Sequence, residues 1–589
     1  MKQFFISLLA VIIGEIILLI LPIIIFVAIV IAIAEQPEEP AVEPNSVLYY
    51  NISTPLAERE IDDPAMIFYN SLYDRPTAIG LPTVIENIEK AAVDTNIVGI
   101  VLEGYTGPTS FTDAREIRTA LQKFRETGKF VYYYEQAADR NALYVASVAD
   151  KVFVSPEGYA LLNGLQSTSI FYKGLIDKLD IDVEIFRHGK FKSAVEPYML
   201  KEMSDASREQ TQRYVDVLWE TMRSEIAKSR NIGEKTIDVY ADKLDFASTA
   251  NSIKLGIVDD VLYSDQFLDF LKDKLGEETI DDIQSIEMNN YTSVDVASYK
   301  TTSSDNTIAV VYAYGEIYDG SDATDYDNIY SYNLAETLRD ARLDDDVKAI
   351  VLRVNSPGGS ALAADQIWRE VKLAADAKPV VVSMGQYAAS GGYYISCAAN
   401  YIYAHPSTLT GSIGVFGVAP NFGKTADKYL GVTFDEVRSN AEGMPTGFSQ
   451  LTPLQREFFQ QSVENCYDTF ITRCAEGRNM SKKRIDEIAQ GRVWAGVDAK
   501  RLGLIDDFGS LNDAIAKAAE LAGIDDYEIE ELPEIETSIS SILKNLGLDA
   551  KAFVGKMFFG SAQSKLRELE QTIEKPTIKA RMECDYMIQ

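Results

Sequence analysis

The segment around Ser390 has the residue types of a catalytic serine. It reads Ala388-Ala-Ser-Gly-Gly-Tyr393 and follows an apolar run at Val380–Met384 that predicts a buried strand, then a loop at Gly385–Ala389. Gly391–Ala399 predicts a helix, so the serine would lie at the positive end of a helix dipole. Its small neighbours would leave the hydroxyl open to a substrate. A serine that only caps the helix fits the same position, and this segment alone leaves both interpretations open.

A second candidate is Lys192, in the segment Phe191-Lys-Ser-Ala-Val-Glu-Pro197. A lysine that acts as a general base must be neutral near pH 7, although its ordinary pKa is about 10.4. Desolvation or a nearby positive charge can favour the neutral amine. Phe191 and Val195 could supply an apolar wall, and Lys190 a like charge. Taken alone, a lysine is more often a solvated surface residue.

Glycines supply a third element of the chemistry. Asn355-Ser-Pro-Gly-Gly-Ser360 joins a predicted strand to a predicted helix, and main-chain N–H groups of Gly358, Gly359 and Gly391 could bind an oxyanion, as acyl transfer requires. No Gly-Lys-Ser/Thr follows, so this is not a nucleotide-binding loop. An ordinary strand-to-helix turn would have a similar sequence.

The chain repeats itself, and the two copies have kept different residues. A shift of 250 positions superposes Ala341–Gly414 on an earlier segment without a gap. Ser390 then corresponds to Arg140. Outside that segment the offset drifts by a few residues, and Lys192 corresponds to Gly443. Two copies of one fold tend to pack against each other. The serine of one copy and the lysine of the other therefore predict a single site between the two copies.

Short apolar strands alternate with amphipathic helices, which predicts an α/β fold with a largely parallel sheet in each copy. We predict a transmembrane signal anchor (1–34) and a Pro/Glu linker (35–46), followed by a lysine-bearing repeat (47–291). A polar linker (292–306) leads to a serine-bearing repeat (307–523) and a helical tail (524–589).

Composition excludes several classes of function. The net charge of −33 argues against binding to nucleic acid and against electrostatic attraction to an anionic membrane surface. The four cysteines include no Cys-x-x-Cys pair and the chain has two histidines, so that no metal site is predicted. Nothing in the sequence implies a cofactor.

The N-terminus predicts a membrane anchor. Phe4–Ala34 is apolar except for Glu15, and its second half is uncharged over the length that a bilayer requires. Lys2 precedes the segment and acidic residues follow it, which by the positive-inside rule keeps the N-terminus in the cytoplasm. We therefore expect a single-pass protein of the cytoplasmic (inner) membrane with its catalytic part on the periplasmic, extracytoplasmic side. Ala32-Ile-Ala34 also resembles a cleavage site, so a removed signal peptide is the alternative.

Four motifs together carry a family resemblance. They are Phe191-Lys-Ser-Ala-Val-Glu-Pro197, Asn355-Ser-Pro-Gly-Gly359, Ala388-Ala-Ser-Gly-Gly-Tyr393 and Pro406-Ser-Thr-Leu-Thr-Gly-Ser-Ile-Gly414. In this order they resemble bacterial signal peptide peptidase A, also called protease IV, in its long tandem form. The likeness spans about residues 47–525 and the anchor; the tail has no match in it.

The resemblance implies roles for individual residues. Ser390 would be the nucleophile, Lys192 the general base, and Ser412 a residue that positions the lysine. It also implies two crotonase/Clp-protease-like ββα superhelix repeats, assembly as a membrane-tethered homotetramer, and cleaved signal peptides or other hydrophobic peptides as substrates.

Three other functions compete with this interpretation. A Ser-His-Asp hydrolase would have to use His188 or His405, although the chain has no Gly-x-Ser-x-Gly elbow. A crotonase-type acyl-CoA enzyme is disfavoured by the predicted export. A catalytically silent membrane-tethered scaffold would have to retain both Ser390 and Lys192 without using them.

Overall fold

The computed structural model describes residues 42–60, 77–299, 304–322, 325–535, 578–581 and 587–588. The predicted anchor and most of the predicted tail lie outside these residues. No helix within the described ranges is both long enough and apolar enough to cross a bilayer.

The two copies build equivalent parallel sheets of six strands. Each sheet has the same strand order, and all of these pairings are parallel. In the first copy the order across the sheet is Ser285–Glu287, Ser46–Asn51, Ile97–Glu103, Phe130–Glu135, Lys151–Val154 and Asp260–Val261. In the second it is Glu528–Leu532, Thr307–Tyr318, Val347–Ser360, Val380–Ala389, Tyr401–Ala404 and Asp507–Phe508. The sequence repeat is therefore a repeat of topology.

Helices cover the faces of both sheets. Those of the first copy are Leu81–Val93, Phe111–Glu126, Arg140–Ala146, Lys173–Lys178, Glu196–Met199, Asp205–Arg230, Glu234–Asp242, Thr249–Leu255, Ser264–Leu275 and Met288–Tyr291. Those of the second are Ser331–Leu343, Ala361–Ala377, Gly391–Ser396, Gly423–Thr425, Pro453–Gly477, Lys482–Ile488, Gly496–Leu502 and Leu511–Ala522. Each copy has its own buried apolar core between sheet and helices.

The second sheet continues beyond its own copy. Leu409–Gly411 pairs with the C-terminal end of Val380–Ala389, and Val493–Ala495 pairs antiparallel with Leu409–Gly411. On the other side, Phe416–Asn421 pairs antiparallel with Asp182–Arg187 of the first copy. The strand that leads to Lys192 is thus hydrogen-bonded to the copy that contains Ser390.

Two features differ from the sequence-based predictions. Gly385–Ala389, predicted as a loop, continues the strand that begins at Val380, because Tyr387–Ala389 pairs with Leu409–Gly411 and Ala388 also pairs with Ser356. The tail, predicted as helical, forms strands where the structure describes it: Glu528–Leu532, Ile578–Arg581 and Met587–Ile588. Each of these segments pairs with an open strand edge, which tertiary contacts supply and local sequence does not reveal.

The long helix Pro453–Gly477 supports the short helix after Ser390. Phe470 on this helix contacts Tyr394, with ring centroids 4.5 Å apart. At its C-terminal end, a Cβ on Gly477 would lie only 1.9 Å from the carbonyl oxygen of Cys397. The glycine therefore permits the two elements to pack in direct backbone contact.

We expect Gly477→Ala to destabilise the protein by about 1–3 kcal/mol, the usual cost of overpacking, because the clashing atom belongs to the backbone. Gly174→Ala is the matched control: Gly174 is also helical, with nothing within 4 Å of an added Cβ, so the change should be neutral or slightly stabilising. Urea-unfolding midpoints of both variants test this. Equal midpoints would contradict the packing argument.

Candidate active site

Ser390 occupies a strained turn between a strand and a helix. The strand Val380–Ala389 ends directly before it and the helix Gly391–Ser396 begins directly after it. Its backbone has φ 56° and ψ −114°, a region that residues with a Cβ rarely adopt. The N–H of Ser390 donates to the carbonyl of Gly411 at 2.8 Å. The surrounding hydrogen bonds thus hold the serine in a conformation that it would not adopt by itself.

Lys192 reaches this serine from the first copy. It is completely buried, as is Ser390. Its Nζ lies within hydrogen-bond distance of Ser390 Oγ, at 3.0 Å, and 5.9 Å from the centre of the Phe416 ring. The Gly491 Cα packs against the lysine backbone, since a Cβ there would lie 2.6 Å from Lys192 N. Burial penalises the charged form of an amine, so this environment favours the form that can accept a proton.

Ser412 holds the other side of the amine. Its Oγ accepts a hydrogen bond from Lys192 Nζ at 2.8 Å, and its carbonyl accepts one at 3.2 Å. Its backbone also has a positive φ, of 49°, and its N–H donates to Arg492 O at 2.7 Å. The predicted serine, lysine and second serine therefore lie in one hydrogen-bonded cluster.

The glycine turn lies beside this cluster at the end of Val347–Ser360. Gly358 has φ 98° and its N–H donates to Ser356 Oγ at 3.1 Å. Gly359 is packed so closely that a Cβ would lie 2.1 Å from Ile317 O. Both positions therefore require glycine. Gly391 is the first residue of the helix after Ser390, so its N–H lies at that helix's N-terminus.

Gln210 is a contributor that sequence reasoning missed. This buried side chain donates to Phe191 O at 3.2 Å and to Ser193 Oγ at 2.7 Å, and accepts from Val493 N at 3.2 Å. It thereby ties both neighbours of Lys192 to a strand of the second copy. The signal was present in the sequence, because Gln210 shares the buried stripe of its helix with Tyr214 and Val217. A polar residue on an apolar stripe indicates a specific partner.

A buried group of charges joins the two copies below the glycine turn. Arg353 donates from Nε to Glu58 at 2.9 Å and lies 3.6 Å from Glu116. Burial alone would lower the pKa of Arg353, but the charges of Glu58 and Glu116 raise it above its ordinary value. Burial also raises the pKa of nearby Asp113, to about 7, and the charge of Glu58 adds to that rise. Glu58 and Glu116 come from the first copy and were not singled out by the sequence.

Neither histidine contacts the serine. His188 hydrogen-bonds to Glu464 at 2.6 Å and stacks on Tyr467. His405 hydrogen-bonds to Glu116 at 2.8 Å; burial would raise the pKa of that carboxyl, but His405 and Arg353 lower it below its ordinary value. The Ser-His arrangement that a Ser-His-Asp hydrolase needs is therefore not formed by either one.

Two aromatic residues near the serine, Tyr393 and Phe416, have different positions. Tyr393 is fully buried and donates its hydroxyl to Leu504 O at 2.8 Å, so it belongs to the core. Phe416 lies next to the lysine amine.

A strand of the chain's own C-terminal part lies beside the glycine turn. Ile578–Arg581 pairs antiparallel with Gly358–Ser360 on one side and with Phe416–Gly417 on the other. With a strand spacing of about 4.8 Å, the gap between those two edges is roughly 9.6 Å wide, the width of one extended chain. The site therefore borders a groove that holds one strand.

Comparisons with known protein families identify the family of this chain. A family model described as Peptidase family S49 matches residues 123–277 and 372–525, once in each copy. The chain belongs to peptidase family S49. A model described as Clp protease also matches residues 324–409.

Relatives cover most of this S49 chain. It is 38% identical to Protease 4 of Salmonella typhi over 82% of the chain and 77% of that protein. It is 32% identical to the chloroplastic serine protease SPPA of Arabidopsis thaliana over 80% of the chain and 70% of that protein. The chain is thus a serine peptidase of the tandem-repeat type.

Two similar solved structures each cover about one third of this chain. ClpP1 of Listeria monocytogenes has a TM-score of 0.22 and 17% identity, over 34% of this chain and 91% of that one. A mutant of the 1510-N membrane-bound stomatin-specific protease has a TM-score of 0.26 and 16% identity, over 39% of this chain and 100% of that one.

The strain at Ser390 predicts a difference between two inactive variants. Ser390→Gly should unfold at a higher temperature than Ser390→Ala, because glycine adopts this backbone conformation without the cost of order 1–3 kcal/mol that a residue with a Cβ incurs. Both variants lack the Ser390 hydroxyl and are therefore inactive, so the comparison concerns their unfolding temperatures alone. Differential scanning calorimetry measures it. An alanine variant as stable as the glycine variant would show that the turn is not strained.

Proposed function

We propose that this S49 peptidase is a membrane-anchored serine endopeptidase with a Ser390/Lys192 dyad, which degrades cleaved signal peptides and other hydrophobic peptides at the outer face of the cytoplasmic membrane. The observation that carries the proposal is the 3.0 Å contact between Lys192 Nζ and Ser390 Oγ. A buried amine at hydrogen-bond distance from a serine hydroxyl is the arrangement of a nucleophile and its general base.

The mechanism assigns one step to each group. Neutral Lys192 takes the proton of Ser390 Oγ while that oxygen attacks the scissile carbonyl carbon. Lys192 then gives the proton to the leaving amine, and a water molecule, deprotonated by the same lysine, releases the acyl group from the serine. Ser412 keeps the amine pointed at the nucleophile through its 2.8 Å hydrogen bond.

The negative charge of the tetrahedral intermediate needs separate stabilisation. The N–H of Gly391 and those of the Gly358–Gly359 turn are the donors that we assign to it. Because the Gly358 N–H donates to Ser356 Oγ in this structure, that serine must release it when a substrate binds. Each such donor typically contributes about 10²–10³ in rate.

The groove supports a peptide as the substrate. Its two edges accept an extended chain antiparallel to both, and main-chain pairing of this kind binds peptides with little demand on side chains. Such a groove suits substrates of varied sequence, which cleaved signal peptides are. An acyl-CoA substrate has no backbone to pair in this way.

The predicted anchor supports the location and the substrate class, because cleaved signal peptides accumulate at the membrane. Assembly into a homotetramer would give exposed apolar side chains of the second copy, among them Leu430, Val437 and Met444, a partner subunit to pack against. Carbonate extraction and sedimentation of the detergent-solubilised full chain test both points. A soluble monomer would contradict them.

The dyad predicts the loss of activity in two variants. With a quenched hydrophobic signal peptide and the full chain in detergent, Ser390→Ala should be inactive. Lys192→Ala should lose about 10²–10⁴-fold in kcat, the usual contribution of a general base. Peptide cleavage followed by fluorescence measures both.

Lys190→Ala is the control, because this exposed neighbour carries the same charge and lies over the Phe191 ring rather than at the serine. It should retain wild-type kcat. A Lys192→Ala variant that is folded and still active would refute the dyad. An inactive wild type of confirmed assembly would favour the scaffold alternative.

Occupation of the groove by residues 578–581 predicts competition with substrate. Truncation after Glu574 should raise kcat/KM for the peptide several-fold, chiefly by lowering KM, because the substrate no longer displaces a strand. A synthetic peptide of residues 575–589 should inhibit the truncated enzyme competitively. Unchanged KM after truncation would show that the strand does not block the groove.

A further inference from the structure

We propose that Glu58, in the first copy, positions the catalytic turn of the second copy through Asn355, so that both are positioning residues for the peptidase reaction. The inference rests on the proposed function and adds to it a second cross-copy contribution besides Lys192. Nothing in the four sequence motifs indicates Glu58, which lies far from all of them in the chain.

The argument begins with a bulge between two strands. Val354 pairs with Met384 and Ser356 pairs with Ala388. One residue, Asn355, therefore lies opposite the three residues from Gly385 to Tyr387. A bulge of this kind redirects the strand that carries it, and this strand ends at the nucleophile.

The Asn355 side chain fills the bulge. Its Oδ1 accepts the N–H of Tyr387 at 3.0 Å. A Cβ on Gly385 would lie 3.0 Å from the side-chain amide carbon of Asn355, so the two backbones enclose the amide closely. Asn355 precedes Gly358 by three residues, and Tyr387 precedes Ser390 by three. One side chain thus fixes the glycine turn and the nucleophile relative to each other.

Glu58 fixes that side chain in turn. Asn355 Nδ2 donates to Glu58 Oε1, while Glu58 Oε2 accepts from Arg353 Nε at 2.9 Å. The Glu58 side chain is 9% exposed and that of Arg353 2%. Because the amide oxygen faces an N–H and the amide nitrogen faces a carboxylate, only one orientation of Asn355 satisfies both partners. The carboxylate therefore determines which way the amide points.

Arg353 has other partners besides Glu58. Besides Glu58 it faces Glu116 at 3.6 Å and donates to Ser383 Oγ at 3.1 Å. Neutralising Glu58 would leave this buried cation with a second acid nearby. The carboxylate at position 58 and the amide at position 355 can therefore be exchanged as an experiment.

The experiment exchanges the two partners in the full chain. Asn355→Asp keeps the acceptor for Tyr387 but places two carboxylates in contact; Glu58→Gln replaces the carboxylate by an amide. The double variant Glu58→Gln/Asn355→Asp restores one donor and one acceptor, with the same total charge as the wild type. We expect Asn355→Asp to lose about 10–100-fold in kcat, as small misplacements of reacting groups do, with little change in KM.

The double variant should regain most of that loss, which a merely additive combination would not. A fluorophosphonate that labels Ser390 reports the geometry of the nucleophile independently, and its labelling rate should fall and recover in parallel with kcat. Unfolding midpoints measured on the same samples show whether a change in kcat or in labelling rate comes from a loss of stability. Asp259→Asn is the control: it breaks a partly buried ion pair with Arg230 inside the first copy and should alter stability without altering kcat.

Wild-type kcat in folded Asn355→Asp, or a double variant no more active than that single variant, would overturn the inference. If Asn355→Asp does not fold, Asn355→Ala removes both hydrogen bonds without creating a like-charge pair, and the same loss of kcat is expected. An inactive wild type would instead refute the proposed function, so the two failures are distinguishable.

Discussion

The rest of the structure depends on one buried contact, between the Lys192 amine and the Ser390 hydroxyl. An isolated ammonium is costly to bury, so the pocket has to favour the neutral amine and give it hydrogen-bond partners. Ser390 and Ser412 provide these partners, both from the second copy. The lysine comes from the first copy, and neither copy alone can therefore complete the cluster.

The docking of the copies is correspondingly specific. Strand Asp182–Arg187 of the first copy joins the sheet of the second, and Gln210 fixes the residues on either side of Lys192. Glu58 and Glu116 bring carboxylates to a buried arginine of the second copy. Buried polar groups stabilise little overall, but they make any other docking arrangement expensive, since it would leave them unpaired.

The two copies share one topology but form a single catalytic site between them. Both copies have the same strand order, and the position of Ser390 is taken by Arg140 in the first copy. Arg140 is buried and donates to Gly164 O at 3.0 Å, so it has a structural role at the place where the second copy has its nucleophile. The second copy instead keeps the glycine turn, the strained serine and the groove. Each copy lacks one of the two dyad residues, because the other copy supplies it.

The sequence by itself determined the parallel α/β sheets, the repeat and the pairing of Ser390 with Lys192, because apolar periodicity and short motifs are local properties. The resemblance of its motifs to a known family added Ser412. It did not reveal Glu58 or the pairing of Ile578–Arg581 with Gly358–Ser360. An acidic residue in an irregular segment and a short tail strand have no local signature, since their partners lie hundreds of positions away. Only the docking of two sheets brings those partners together, and this is why tertiary structure alone decided how the catalytic turn is held and what lies in its groove.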